Sequence, residues 1–130
     1  MIKEGSVYKL TSSESSFHFH IVTFRDPLGR DSVNIVLYIS SSTTLIDPTC
    51  TFKPGEDFFI SKPSWVKYRN CKVLSDMDLE RLKPIGIVSD KTLEKIKRGF
   101  ELALGHGKIG DYPKFLYLKW KDDLLFSHLK

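Results

Sequence analysis

Residues 47–75, DPTCTFKPGEDFFISKPSWVKYRNCKVLS, constrain the fold of this chain more than any other stretch. They hold both cysteines, three of the six prolines and a Lys53-Pro54-Gly55-Glu56 turn set between two apolar and aromatic segments. Proline fixes φ, and glycine tolerates the positive φ that the next turn position demands, so the chain must reverse tightly here. The segments on either side therefore read as short strands: residues 58–60 and 72–74, with Trp65-Val66-Lys67-Tyr68 between them.

The preceding sequence carries the same β signature. Residues 5–10 alternate in hydrophobicity and open the sheet. Residues 11–16 form a Ser/Thr-rich loop, because hydroxyl side chains compete for backbone hydrogen bonds. Residues 17–24 then alternate with period two, placing Phe17, Phe19 and Ile21 on one face and His18 and His20 on the other. A Pro27/Gly29 turn leads into residues 33–39, VNIVLYI, whose unbroken apolar character marks a central strand. A hydroxyl run, residues 40–44, follows it.

After Ser75 the period changes. Ser75-Asp76-Met77-Asp78 opens a brief helix that Pro84 stops, and Ser89 caps a longer one with Leu93, Ile96, Phe100 and Leu104 on one face and Gly105 at its end. Residues 105–110 read as a glycine-rich linker, since they lack the Gly-Lys-Ser/Thr ending of a nucleotide-binding loop. Asp111-Tyr112-Pro113 then starts an amphipathic tail with Leu116, Trp120 and Leu124 four apart. With 130 residues there is room for one domain: a β portion with its helix over residues 1–104, and the linker and tail over 105–130.

The longest apolar runs are far shorter than a bilayer span, and residues 1–5 lack the apolar core of a signal peptide. A cytoplasmic address and no membrane partner are expected. Two cysteines in a chain of this length fall below the density of a secreted disulfide scaffold, and free, buried thiols are the simpler reading. Net charge is +4, but placement matters more. Between positions 53 and 72 five bases (Lys53, Lys62, Lys67, Arg69, Lys72) face two acids (Glu56, Asp57), a patch suited to nucleic acid or to an acidic protein segment.

Three constellations could carry chemistry. The His18-x-His20 pair offers two imidazoles on one strand face, and imidazoles titrate near neutrality, as general acid–base cleavage of RNA requires. The same pair with Cys50 or Cys71 lacks the spacing of a structural zinc site, so neither metal nor other cofactor is expected. Residues 64–69, SWVKYR, interleave aromatics with bases: Trp65 and Tyr68 either stack on bases of a single strand or fill the core.

Together, Gly5-Ser6-Val7-Tyr8, His18-Phe19-His20-Ile21-Val22, Val36-Leu37-Tyr38-Ile39-Ser40-Ser41, Asp47-Pro48-Thr49-Cys50, Pro54-Gly55-Glu56-Asp57-Phe58-Phe59-Ile60 and Ser64-Trp65-Val66-Lys67-Tyr68-Arg69 resemble the PemK/MazF-like proteins of bacterial toxin–antitoxin systems. The resemblance spans about residues 5–104. It implies a mainly β fold with appended helices (β+α), a small SH3-like barrel, often a homodimer. It also implies metal-independent cleavage of single-stranded RNA and inhibition by an antitoxin protein. Ser40 falls at the position of the family's catalytic Thr or Ser, and His18 or His20 stands where its members carry an Arg-Pro pair. The resulting expectation is an endoribonuclease in which His18 and His20 act as acid and base and Ser40 and Arg25 contact the phosphate. Lys62, Lys67, Tyr68 and Arg69 would bind the strand. The alternative is a non-catalytic module of the same fold that binds nucleic acid or a protein partner.

Overall fold

A computed structural model describes residues 2–11 and 17–127. The expected loop at 12–16 lies outside the described residues. Six strands form one antiparallel sheet: β1 (Ser6–Thr11), β2 (Phe17–Arg25), β3 (Val33–Ser40), β4 (Thr51–Phe52), β5 (Ser64–Ser75) and β6 (Gly86–Ile87). Their order across the sheet is β4-β5-β3-β2-β1-β6. Three helices complete the chain: α1 (Asp76–Glu80), α2 (Asp90–Gly105) and α3 (Asp111–Ser127). The fold is mainly β with C-terminal helices, and no helix among the described residues is long and apolar enough to cross a membrane.

β3 is central because both its faces are apolar. Ile35, Leu37 and Ile39 point to one side, where Ile21, Val66, Tyr68, Ile96, Phe100, Leu116 and Trp120 complete the larger core under α2 and α3. Val36 points to the other side, packing with Tyr8, Val22, Ile2 and Leu79 of α1. Each apolar run is thus covered twice, and continuous hydrophobicity is tolerated.

Two bulges curl the sheet into a half-barrel. Thr23 is inserted where the β2–β3 register shifts, so Phe24 joins the same core face as Ile21 and packs on Phe100 and Tyr117 at 4.9 Å between ring centroids. In β5 the shift is larger: residues 68–71 stand between the pairs Tyr38–Lys67 and Val36–Lys72, opposite Leu37 alone. Trp65 to Tyr68 and Lys72 to Leu74, which composition separates, are one bulged strand.

The Lys53-Pro54-Gly55-Glu56 turn forms as expected, with the Glu56 amide donating to the Lys53 carbonyl at 3.0 Å and Gly55 at φ +83°. Residues 58–60 do not form a strand. Phe59 and Ile60 are buried as core plugs from a loop; β4 precedes the turn, and the strand that follows it, β5, begins only at Ser64. Residues 105–110 are also more committed than a glycine-rich linker suggests: Ile109 is buried, and the Lys108 amide donates to Ala103 O at 2.9 Å. In α3 Leu116, Tyr117 and Trp120 dock on the core, yet Phe115, Leu118, Leu125 and Phe126 are exposed, so this helix is apolar on its outer side too.

The tightest joint is between β5 and α2. The Tyr68 hydroxyl is fully buried and donates to Ile96 O at 2.9 Å. A Cβ at Gly99 would lie 2.0 Å from that hydroxyl oxygen. Alanine is intrinsically better than glycine in a helix by about 1 kcal/mol, but the overlap forces strand and helix apart. Gly99→Ala is expected to destabilise the fold by a net ~2 kcal/mol in denaturant titration, and Gly99→Ala/Tyr68→Phe to lose less than the sum of the single changes.

Candidate functional site

The face of the sheet that carries His18 and His20 is the one bearing Tyr38 and Lys67. Tyr8 pairs with His20, His20 with Tyr38 and Tyr38 with Lys67, a row running across β1, β2, β3 and β5. At the open end of this face lies a groove of about 430 Å³, lined by His18, Tyr38, Ser40, Ser41, Ser42, Ser61, Lys62, Ser64 and Lys67 with the aromatic edges of Phe17, Phe19 and Phe59. Five serines, two lysines and a histidine converge there, and no acid is among the described residues that line it. Lys62 and Lys67 make no ion pair among the described residues, whereas Lys95, Lys97, Lys108 and Lys119 are each paired with a carboxylate.

A second cavity of about 490 Å³ continues past Ser42 and Lys67, which line both. It is walled by Leu45, Ile46, Asp47, Trp65, Arg69 and Lys108. Trp65 is a buried wall rather than a free stacking platform, because its indole N–H donates to Ser42 O at 2.9 Å and holds the 40–44 loop against β5.

Of the expected acid–base pair, His18 alone reaches the groove. The Tyr38 Oη lies 2.8 Å from its Nδ1 and 3.1 Å from its Nε2. Nδ1 is the closer partner, and the hydroxyl donates to it or accepts from its N–H as the imidazole tautomer dictates. Burial holds the Tyr38 phenol above its ordinary range, so it stays protonated. His20 is buried, 2% exposed, one residue pair deeper. Its Nδ1 lies 3.2 Å from His18 O, which fixes the proton on Nδ1 and leaves Nε2 a buried acceptor without a partner. Burial pushes its pKa down to about 4, with the cation of Lys72 adding to the effect against the hydrogen bond to His18 O. At neutral pH His20 is an uncharged imidazole shut off from the groove, which corrects the expectation that it shares acid–base work with His18.

Two further expectations are corrected by position. Arg25 pairs with Asn34, six residues from Ser40 along β3 and hence about 20 Å away at a strand rise of about 3.3 Å per residue. Its guanidinium is consumed by Asn34 Oδ1 at 2.8 Å, Ile2 O at 2.7 Å and both Asp76 oxygens at 3.1 Å, so it locks the N-terminal segment to the β5–α1 junction. Tyr68 projects into the core on the opposite face and cannot meet a bound strand. Ser40, Lys62 and Lys67 are brought together, with Arg69 on the adjoining cavity. The Ser40 hydroxyl accepts from the Ser42 amide at 3.1 Å, which shapes the turn out of β3.

What composition alone misses is Tyr38, whose role depends on cross-strand register, and the Ser61/Ser64 side of the groove, which comes from the end of the β4–β5 loop and the start of β5. Cys50 is buried and Cys71 half-buried; both are free, and burial pushes the Cys71 thiol up to about 12. Among the described residues no three His, Cys, Asp or Glu side chains converge as a metal site would require. Compared with family models, curated proteins and solved structures, the chain matches none at a significant level.

His20 gives this face a measurable pH signature. Its folded pKa lies below the unfolded value of about 6.5, so its contribution is complete above that value and is lost as pH falls towards 4. The loss is expected to approach ~3 kcal/mol, at about 1.4 kcal/mol per unit. Urea titrations from pH 7 to pH 4 should show this acid limb, and His20→Phe should flatten it.

Proposed function

We propose that this protein grips single-stranded RNA by its phosphates in the groove of His18, Ser40, Lys62 and Lys67. It would be a divergent PemK/MazF-like domain whose curled sheet serves as an SH3-like barrel. The observation that carries the reading is the groove's composition: two lysines and five serines, with neither an ion pair to those lysines nor a lining carboxylate among the described residues. Phosphate oxygens accept from ammonium and hydroxyl groups alike, and a nearby carboxylate would repel them. A groove open along its length, beside apolar ring edges, suits an extended strand with unstacked bases better than a stiff duplex.

Cleavage is a second reading, favoured by the contact between His18 and Tyr38. In it His18, in the tautomer whose Nδ1–H donates to the Tyr38 oxygen, takes the ribose 2′-hydroxyl proton on Nε2 and the 2′-oxygen attacks phosphorus. The imidazolium then gives that proton to the departing 5′-oxygen, which leaves as a hydroxyl as the 2′,3′-cyclic phosphate forms. Lys62 and Lys67 balance the charge that builds on the phosphoryl oxygens. Tyr38, kept neutral, orients the imidazole by accepting from its Nδ1–H. Because His20 is neutral and enclosed, the reaction would rest on one imidazole. The partners implied are RNA, an antitoxin whose acidic segment would meet the same bases, and a second copy of the chain.

Fluorescence anisotropy with an unstructured RNA in EDTA tests the binding reading. The slope of log affinity on log salt should lose about 1.4 in magnitude in Lys62→Ala/Lys67→Ala, about 0.7 for each phosphate contact removed. An unchanged slope would show that the strand lies elsewhere. In the same tubes, product analysis separates the two readings: cyclic-phosphate ends lost in His18→Ala but kept in His20→Phe support catalysis, and intact RNA throughout leaves binding alone.

A further inference from the structure

The second cavity differs from the groove it adjoins, and the difference points to base reading. It holds the carboxylate that the groove lacks. Asp47 Oδ1 is saturated by the Thr49 amide at 3.0 Å, the Thr49 hydroxyl at 2.6 Å and Lys108 Nζ at 3.1 Å. Oδ2 accepts no hydrogen bond from the described residues. Burial opposes the charge of this carboxylate, but the bonds from Thr49 and Lys108 outweigh it and hold the group below the usual carboxylate range, so it is ionised at neutral pH. Side-chain exposure of Asp47 is only 13%, yet Oδ2 still reaches solvent, so a ligand's N–H can take the place of water there.

Other residues of the lining are apolar: Leu45 and Ile46 directly precede Asp47 in the chain, and Leu45 is 96% exposed at φ +53°. A leucine in the left-handed region costs about 1 kcal/mol or more, and no burial within the chain offsets it here. Lys67 is shared with the phosphate groove, and Arg69 lies beside it. A base of a strand held on Lys67 would therefore meet apolar side chains and an anionic acceptor within one cavity.

We propose that this cavity is a nucleobase subsite, reading a base that presents an exocyclic amino group to Asp47. Cytosine donates from N4 with a ring acceptor beside it. Uracil puts carbonyl oxygens on both sides of its single N–H, and a carboxylate repels both. The subsite thus favours amino-bearing bases over uracil at one position of the strand. The inference rests on the reading of the groove as a phosphate-binding track.

The test compares labelled oligocytidylate and oligouridylate octamers of the RNA series on the wild-type protein by anisotropy at one salt concentration. Cytidylate should bind about fivefold tighter, the size of one net hydrogen bond. Asp47→Asn places an amide N–H₂ where Oδ2 stood while keeping an oxygen for Thr49, and the preference should reverse towards uridylate. An oligocytidylate carrying two methyl groups on each N4 removes the donor without touching the protein, and should fall to the uridylate level. Equal binding of both octamers by the wild type, or an unaltered preference in Asp47→Asn, would overturn the subsite while leaving the phosphate groove standing. Failure of both octamers to bind at all would overturn the groove reading itself.

Discussion

The seating of Tyr68 against Gly99 is the contact on which the rest of the molecule depends. A phenol can be buried completely only when its hydroxyl finds an acceptor, and here the acceptor is a carbonyl of α2, Ile96 O. A helix can approach a strand this closely only where it presents no side chain, and Gly99 supplies that gap. Once Tyr68 is pinned inward, the residues around it are sorted. Lys67 before it goes to the opposite face, Arg69 and Asn70 after it swing to solvent, and the four-residue bulge opposite Leu37 absorbs the mismatch. Two cations therefore reach the outer surface of β5 as a by-product of anchoring one aromatic ring.

The two faces of the sheet have divided the labour of the chain. One is packed by α2, α3 and, towards the groove, by Phe59 and Ile60 from the loop before β5. The other is covered at one end by Ile2 and α1 and left open at the other, where hydroxyls and amines replace aliphatic residues. Between the closed and open ends sit Tyr8, His20 and Tyr38, amphipathic rings of which only Tyr38 brings a polar atom to the groove. His20 belongs to this transition layer. Its Nε2 is a standing cost, since desolvation of an unpaired acceptor is not recovered, and the neutral tautomer is what keeps that cost small.

Much of the sheet was legible in the sequence because its strands obey strict rules. Alternation over residues 17–24 and the apolar run 33–39 gave the right elements and the right faces, and Pro54-Gly55 placed the turn. Ser75 and Ser89 capped α1 and α2 as their spacing indicated. Residues 58–60 misled because buried phenylalanine in a loop carries the same hydrophobicity as buried phenylalanine in a strand, and only pairing distinguishes them. β6 is two residues long and is defined by backbone bonds to β1, so no side-chain pattern announces it. At the site, Lys62 and Lys67 could be grouped from composition and Ser40 joined them only through the family resemblance, but Arg25 could not be excluded. Its removal from the groove depends on Asp76, fifty-one positions later in the chain. Tyr68 was ambiguous for a similar reason: an aromatic beside two bases looks alike whether its ring faces solvent or the core.

The placement of both long helices at the end of the chain bears on how the fold is reached during synthesis. β2, β3 and β5 emerge before residue 76, and they can pair at once through neighbouring antiparallel contacts. Their larger apolar face has no cover until Ile96, Phe100 and Ala103 have left the ribosome, and Leu116, Tyr117 and Trp120 follow later still. A translating chain therefore carries an adhesive half-barrel for the time it takes to add about fifty residues, on the order of several seconds at usual elongation rates. During that interval the nascent sheet is a natural client for holdase chaperones, and the last helix acts as the closing lid of folding rather than as an accessory to it.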